Sequence, residues 1–182
     1  ALSRVLRRGL RPPVQLVYGS TSGVYGDCAG AWVDESRALA PQSARAQRRV
    51  SAERSLRGSG LPLSILRIPG IYALDRANGT PATRLQKGTP VLLAAEDVYT
   101  NHIHADDLAR ACVAALFRAL PQRVLHVSDD TELRMGEYFD LAADLCALPR
   151  PPRISRADAA ESLSPMQLSF MSESRRLDNR RM

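Results

Sequence analysis

Cysteine, lysine and aromatic residues are scarce in this sequence, and no apolar run reaches membrane-spanning length. Each shortage narrows what the chain can be. Cys28, Cys112 and Cys146 are few, far apart and odd in number. They fit neither a disulfide framework nor a zinc-ligand spacing, and point to a reducing compartment, the cytoplasm. Without a long apolar stretch, a membrane protein is excluded as the expectation. Aromatics make up 5% of the residues, and Lys87 is the only lysine in a chain of net charge +6. The arginines are spread along the chain with no interleaved aromatic stripe, so nucleic acid is not the expected partner. An Arg-for-Lys compositional bias accounts for the charge.

What is present is ordinary for a globular domain. The 182 residues are 45% apolar and 24% charged, enough for one domain or a large part of one. The opening "ALSRVLRRGLRPP" is Arg-rich and acid-free, as transit peptides are. Against that, Leu2, Val5 and Leu6 share a helical face and Gly9 stands where a helix stops, so the last turns of a core helix are expected here. The chain starts with Ala, and an upstream part is expected.

The rest alternates between two periodicities. Val14, Leu16 and Val17 read as a buried strand that runs into "GSTSGVYGD". Hydroxyls at the carboxyl end of a buried strand sit where open α/β sheets place ligands, although a plain turn would use them equally well. A helix follows over about 43 to 57, stopped by Gly58 and Gly60, and then a strand over 63–68 that Pro69 and Gly70 terminate. A short helix ends at Gly88, and Val91 to Leu93 form a strand or edge segment. Asp106 or Asp107 opens an apolar helix, "RVLHVSDD" is a strand, and 135–148 is a helix before the spacer "LPRPPRIS". Helix and strand in repeated alternation indicate a parallel α/β sheet. His102, His104, Asp106 and Asp107 are metal-ligand types, but their spacing serves no helix face or zinc motif, and structural roles are favoured.

Four segments, "GSTSGVYGD", "LRIPGIYALDR", "NHIHADDLARA" and "HVSDD", occur in the order and spacing of one family. With the closing "SESRRLDNRRM", the chain resembles the second half of an extended short-chain dehydrogenase/reductase of the NAD-dependent epimerase/dehydratase type, an atypical bacterial member. The resemblance covers nearly the whole chain. It implies the carboxyl-terminal half of a Rossmann-type doubly wound parallel sheet over 1–75. A small α/β substrate-side region would cover 76–182, with elements at about 100–128 returning to the core. The implied activity is NAD(P)-dependent hydride transfer on a nucleotide sugar or another small carbonyl or alcohol. NAD or NADP is the implied cofactor, a small molecule the implied partner, and a homodimer is compatible with it.

The resemblance also assigns residues. Thr21, with Ser22 beside it, matches the hydroxyl that polarises the substrate oxygen, a group able to donate without carrying charge. Ser20, Arg49, Pro69, Gly70 and Ile71 fall on the cofactor side, Gly70 permitting close backbone approach. Tyr25, Tyr72, Arg76 and His104 fall on the substrate side. Two departures stand out. Aligned on Glu53, the family's Tyr-x-x-x-Lys pair is replaced by Arg45 and Arg49, and a guanidinium cannot act as a base. No Gly-rich dinucleotide turn occurs, because "GSTSGVYG" does not open a helix. Tyr25 and Tyr72 are the phenols left to stand in. The same departures favour an alternative, a non-catalytic NAD(P)H-binding sensor or interaction protein.

Overall fold

The structure, a computed structural model, describes residues 5–6, 13–76 and 79–182. The helix expected over 1–9 therefore lies outside the described residues, apart from Val5 and Leu6, which are helical. Strand β1 (Leu16–Thr21) begins two residues later than the apolar pattern suggested, leaving Val14 93% exposed. It passes at once into a single 3-10 turn, Ser22–Tyr25. Thr21 caps that turn, its Oγ1 accepting from the Gly23 N–H at 3.3 Å. Gly26 closes it at φ +66°, where a Cβ would lie 2.2 Å from the Ala40 carbonyl oxygen. Only glycine fits there.

After the short strand β2 (Trp32–Val33), helix α1 (Ala44–Arg57) starts at Ser43, whose hydroxyl accepts from the Ala46 N–H. The helix buries Ala46, Val50, Glu53 and Leu56, a stripe at helical spacing. Strand β3 (Leu63–Ile68) is buried along its first five residues because both of its neighbours are strands. It lies between β1 and β7 (Arg123–His126), all three parallel. The register sets Ser20 beside Arg67, Thr21 beside Ile68, and Arg67 beside His126.

Gly70 opens a new strand rather than helping to end β3, which stops at Pro69 as the sequence suggests. Lacking an N–H, Pro69 cannot continue the ladder. The chain resumes as β4 (Gly70–Tyr72), which leaves the main sheet and pairs with β6 (His102–His104). Between them come α2 (Ala82–Gln86) and β5 (Val91–Leu92). Helix α3 (Ala105–Phe117) begins one residue earlier than its acids suggested. The cap is His104, whose Nδ1 accepts from the Asp106 N–H at 3.2 Å, while Asp106 and Asp107 occupy the first turn.

Helix α4 (Met135–Leu145) stops three residues short of the expected end. Beyond it lie β8 (Arg153–Ile154), α5 (Arg156–Ser162), α6 (Pro165–Met171) and β9 (Arg176–Leu177). Strands β5 and β8 pair, as do β2 and β9, so the end of the chain returns to the main body. Leu66, Ile103, Ala115 and Val127 form the core on the α3 face, and Val24, Tyr25, Val33, Val50 and Leu177 that under α1. A separate cluster of Leu85, Val91, Leu92, Val98, Met135 and Phe139 serves the later elements. Each large side chain so buried contributes about 1.5–3 kcal/mol. Among the described residues, no helix is long and apolar enough to cross a membrane.

Candidate functional site

The carboxyl end of the sheet rests on a buried polar network. Arg67, on the central strand, is 3% exposed and reaches in two directions. Its Nη2 donates to Glu53 Oε2 at 2.9 Å and its Nη1 to the Tyr25 hydroxyl at 2.6 Å. Ser20 donates to Glu53 Oε1 at 2.5 Å, so the carboxylate is bound from both sides. The Tyr25 oxygen lies 2.6 Å from His126 Nε2, and His126 Nδ1 lies 2.9 Å from the Asp178 carbonyl oxygen. A carbonyl can only accept, so Nδ1 carries the proton and Nε2 accepts from Tyr25. Protons therefore point one way, from Arg67 to Tyr25 to His126 to the backbone of the closing segment. Burial pushes the Tyr25 phenol up to about 12, with Arg67 opposing it, and holds the His126 imidazole below its ordinary value.

This network occupies two of the residues singled out in the sequence. Ser20 turns inward to Glu53, and Tyr25, 1% exposed, has its hydroxyl engaged by Arg67 and His126. That hydroxyl is not presented to a substrate. Arg67 and Glu53 were missed, although an arginine inside "LSILRI" is a signal that a buried partner exists.

Above the network the strand ends open outward. Thr21 is half-buried, and because its oxygen accepts from Gly23, its own proton is free to be donated. Ser22 is buried at the start of the turn. Thr21 pairs with Ile68, and Pro69 and exposed Gly70 follow Ile68 in the chain. A Cβ on Gly70 would lie 3.0 Å from the His102 ring. Ile71 packs inward against the Leu66–Ile103–Val127 cluster. Arg49 Nη1 donates to the Gly19 carbonyl at 3.3 Å and the Tyr18 hydroxyl at 3.2 Å. Tyr72 stands edge-on to His104 at 5.2 Å, its phenol raised by burial and then by Asp129 and Asp107. Arg76 is exposed and donates to the Ile71 carbonyl at 3.3 Å.

Three side chains arrive from far along the chain. Glu173 lies against Gly23, where a Cβ would be 3.7 Å from Thr21 Oγ1 and 3.8 Å from Glu173 Oε2. Arg175 neutralises that carboxylate at 2.5 Å and donates to the Gly26 carbonyl at 2.7 Å. Phe170 of α6 meets Arg45 of α1, the guanidinium carbon 5.4 Å from the ring centre. A cleft of about 460 Å³ lies elsewhere, beside β9, lined by Trp32, Asn101, Asp129, Arg176 and Asp178. It includes neither Thr21 nor 69–71, and parallel sheets bind at their strand ends, so the candidate site is placed there. No metal-binding group of three or more ligand side chains occurs among the described residues.

No protein-family model matches the chain, and no curated protein matches it. Solved structures do. A conserved protein of unknown function from Silicibacter pomeroyi DSS is 36% identical, with a TM-score of 0.80 over 92% of this chain and 58% of that one. The human epimerase family protein SDR39U1, solved with NADPH, is 16% identical, with a TM-score of 0.81 over 99% of this chain and 62% of that one. MoeE5, solved with UDP-glucuronic acid and NAD, is 22% identical, with a TM-score of 0.72 over 98% and 60%. The chain thus spans about three-fifths of the length of these proteins.

Proposed function

We propose that this chain, which has the fold of the NAD-dependent epimerase/dehydratase proteins, forms the reaction side of an NAD(P)-dependent oxidoreductase. Its substrate would be a nucleotide sugar or another small carbonyl or alcohol compound. The observation that carries the reading is the register that pairs Thr21, whose proton no described acceptor takes, with Ile68, the residue just before Pro69 and exposed Gly70. Such a strand end fits a flat ring laid against backbone, with a hydroxyl at its edge.

In this reading a bound nicotinamide supplies or accepts the hydride. Pro69, Gly70 and Ile71 form the wall it lies on, and Arg49 supplies a cation to ribose or phosphate oxygens. Thr21 donates its proton toward the substrate oxygen, where preorganised donors are worth most. Arg45 cannot take a proton from the substrate. That observation favours a second reading, a protein that binds NAD(P)H without turning it over.

Fluorescence titration of the full-length protein with NADH and NADPH, followed by assay on a panel of nucleotide sugars, separates the two. Turnover supports the first reading, and binding without turnover supports the second. Failure to bind either dinucleotide overturns both. Replacing Thr21 by Val is expected to lower turnover by about 10²-fold while dinucleotide affinity stays as in the parent. Unchanged turnover in that variant removes Thr21 from the reaction.

A further inference from the structure

We propose that Arg45 selects an acidic substrate, its guanidinium receiving a carboxylate or phosphoryl group at the open end of β1. The proposal rests on reading that end as the reaction site and names the substrate class the site takes. Its basis is the path of α1. Because β1 and β3 are parallel, α1 must carry the chain from the carboxyl edge of the sheet back to the amino edge. Glu53 is level with Ser20, to which it bonds. Arg45, two turns earlier, therefore stands about 12 Å further out along the helix, beyond the strand end.

The surroundings of Arg45 leave its charge unspent. The only acid on α1 is Glu53, which is committed to Arg67 and Ser20. Glu173, the acid of the closing segment that lies against Gly23, is paired with Arg175. Among the described residues Arg45 enters no ion pair, and its contact of note is the Phe170 ring, which is itself 50% exposed. A guanidinium held over an aromatic face keeps its donor edge available and loses less freedom when an oxyanion arrives. Two parallel N–H groups on that edge match a carboxylate or phosphoryl group.

The test follows the Arg45 Nε–H resonance by NMR in the full-length protein, titrated with oxalate and with inorganic phosphate at constant ionic strength. A saturable shift is expected. Tighter oxalate assigns a carboxylate substrate and tighter phosphate a phosphoryl one. Arg45→Gln and Arg45→Lys should each weaken binding about tenfold, the lysine because it loses the fork. Phe170→Ala should weaken it about threefold. Arg48→Gln, at an exposed neighbour, should bind as the parent does, with circular dichroism verifying the fold of each variant. An absent shift, parental affinity in Arg45→Lys, or an equal loss in Arg48→Gln overturns the proposal. So does a matching loss of NADH affinity in Arg45→Gln, which would give the oxyanion to the cofactor. Oxalate binding in a protein that binds neither NADH nor NADPH would sustain Arg45 while removing the proposed function.

Discussion

Arg67 shows how much one side chain can organise. It is the donor to both Glu53 and Tyr25, and it also reaches the Glu35 carbonyl oxygen at 3.3 Å. Burial opposes its charge, but its hydrogen bonds to Glu53 and Tyr25 outweigh that and raise its pKa. Removing it leaves the Glu53 carboxylate, 2% exposed, without its cation. Arg67→Met is therefore expected to cost about 3–5 kcal/mol in guanidinium unfolding. Adding Glu53→Leu to that variant should recover part of the loss, because the uncompensated charge then disappears. At this scale the sequence was partly legible. The strand-end hydroxyls stand out in the local pattern, whereas Gly70 and the arginines at 45 and 49 are singled out only by the family resemblance. Ser20 and Tyr25 could not be distinguished from their neighbours, because their inward turn depends on Glu53, Arg67 and His126, each more than 30 positions away from one or the other.

Elements are joined by pairs whose protonation matters. His102 of β6 stacks on Tyr138 of α4, ring centres 4.0 Å apart and 17° from parallel. Burial lowers the His102 imidazole from 6.5 to about 4 and pushes the Tyr138 phenol up to about 12. Between pH 6.5 and 4 the unfolded chain binds a proton at this site that the folded protein refuses. Stability is present above that window and falls as the pH drops through it, by roughly 3 kcal/mol for this residue. Unfolding measured across pH 4–7 should show the decline, and His102→Phe should flatten it. His126, also lowered by burial, contributes in the same direction.

The elements themselves were the best-read part of the sequence. Helix α1 follows from the serine and glycines at its ends, strand β3 from its apolar run before Pro69, and helix α4 from its periodicity. Pro69 stops β3 as its missing N–H dictates, but Gly70 opens a further strand, and only the distant partner β6 accounts for that.

In the whole molecule, order spreads outward from β3. It alone is paired on both sides in the main sheet, while β1 and β7 each have one partner among the described residues. Native-state hydrogen exchange should find the β3 amides slowest. Alternate amides of β1 should exchange at least about tenfold faster, since those N–H groups face the unpaired edge. Uniform protection along β1 would show that its other edge is covered.

The closing segment ties distant parts together. Asp178 receives the His126 proton, Arg181 lies 3.3 Å from Glu35, and Asn101 Oδ1 accepts from the Leu177 N–H at 3.0 Å. None of these ties has a local sequence signature, because each joins residues at least 50 positions apart. Another contact of this segment brings an optical benefit. Arg176 of β9 lies over the ring of Trp32, 5.1 Å from its centre, and Trp32 is the chain's single tryptophan. Indole emission therefore comes from one place and carries the imprint of that overlying cation. Undocking the last strand would change its colour and intensity, so the protein contains its own fluorescent gauge of whether its tail is seated.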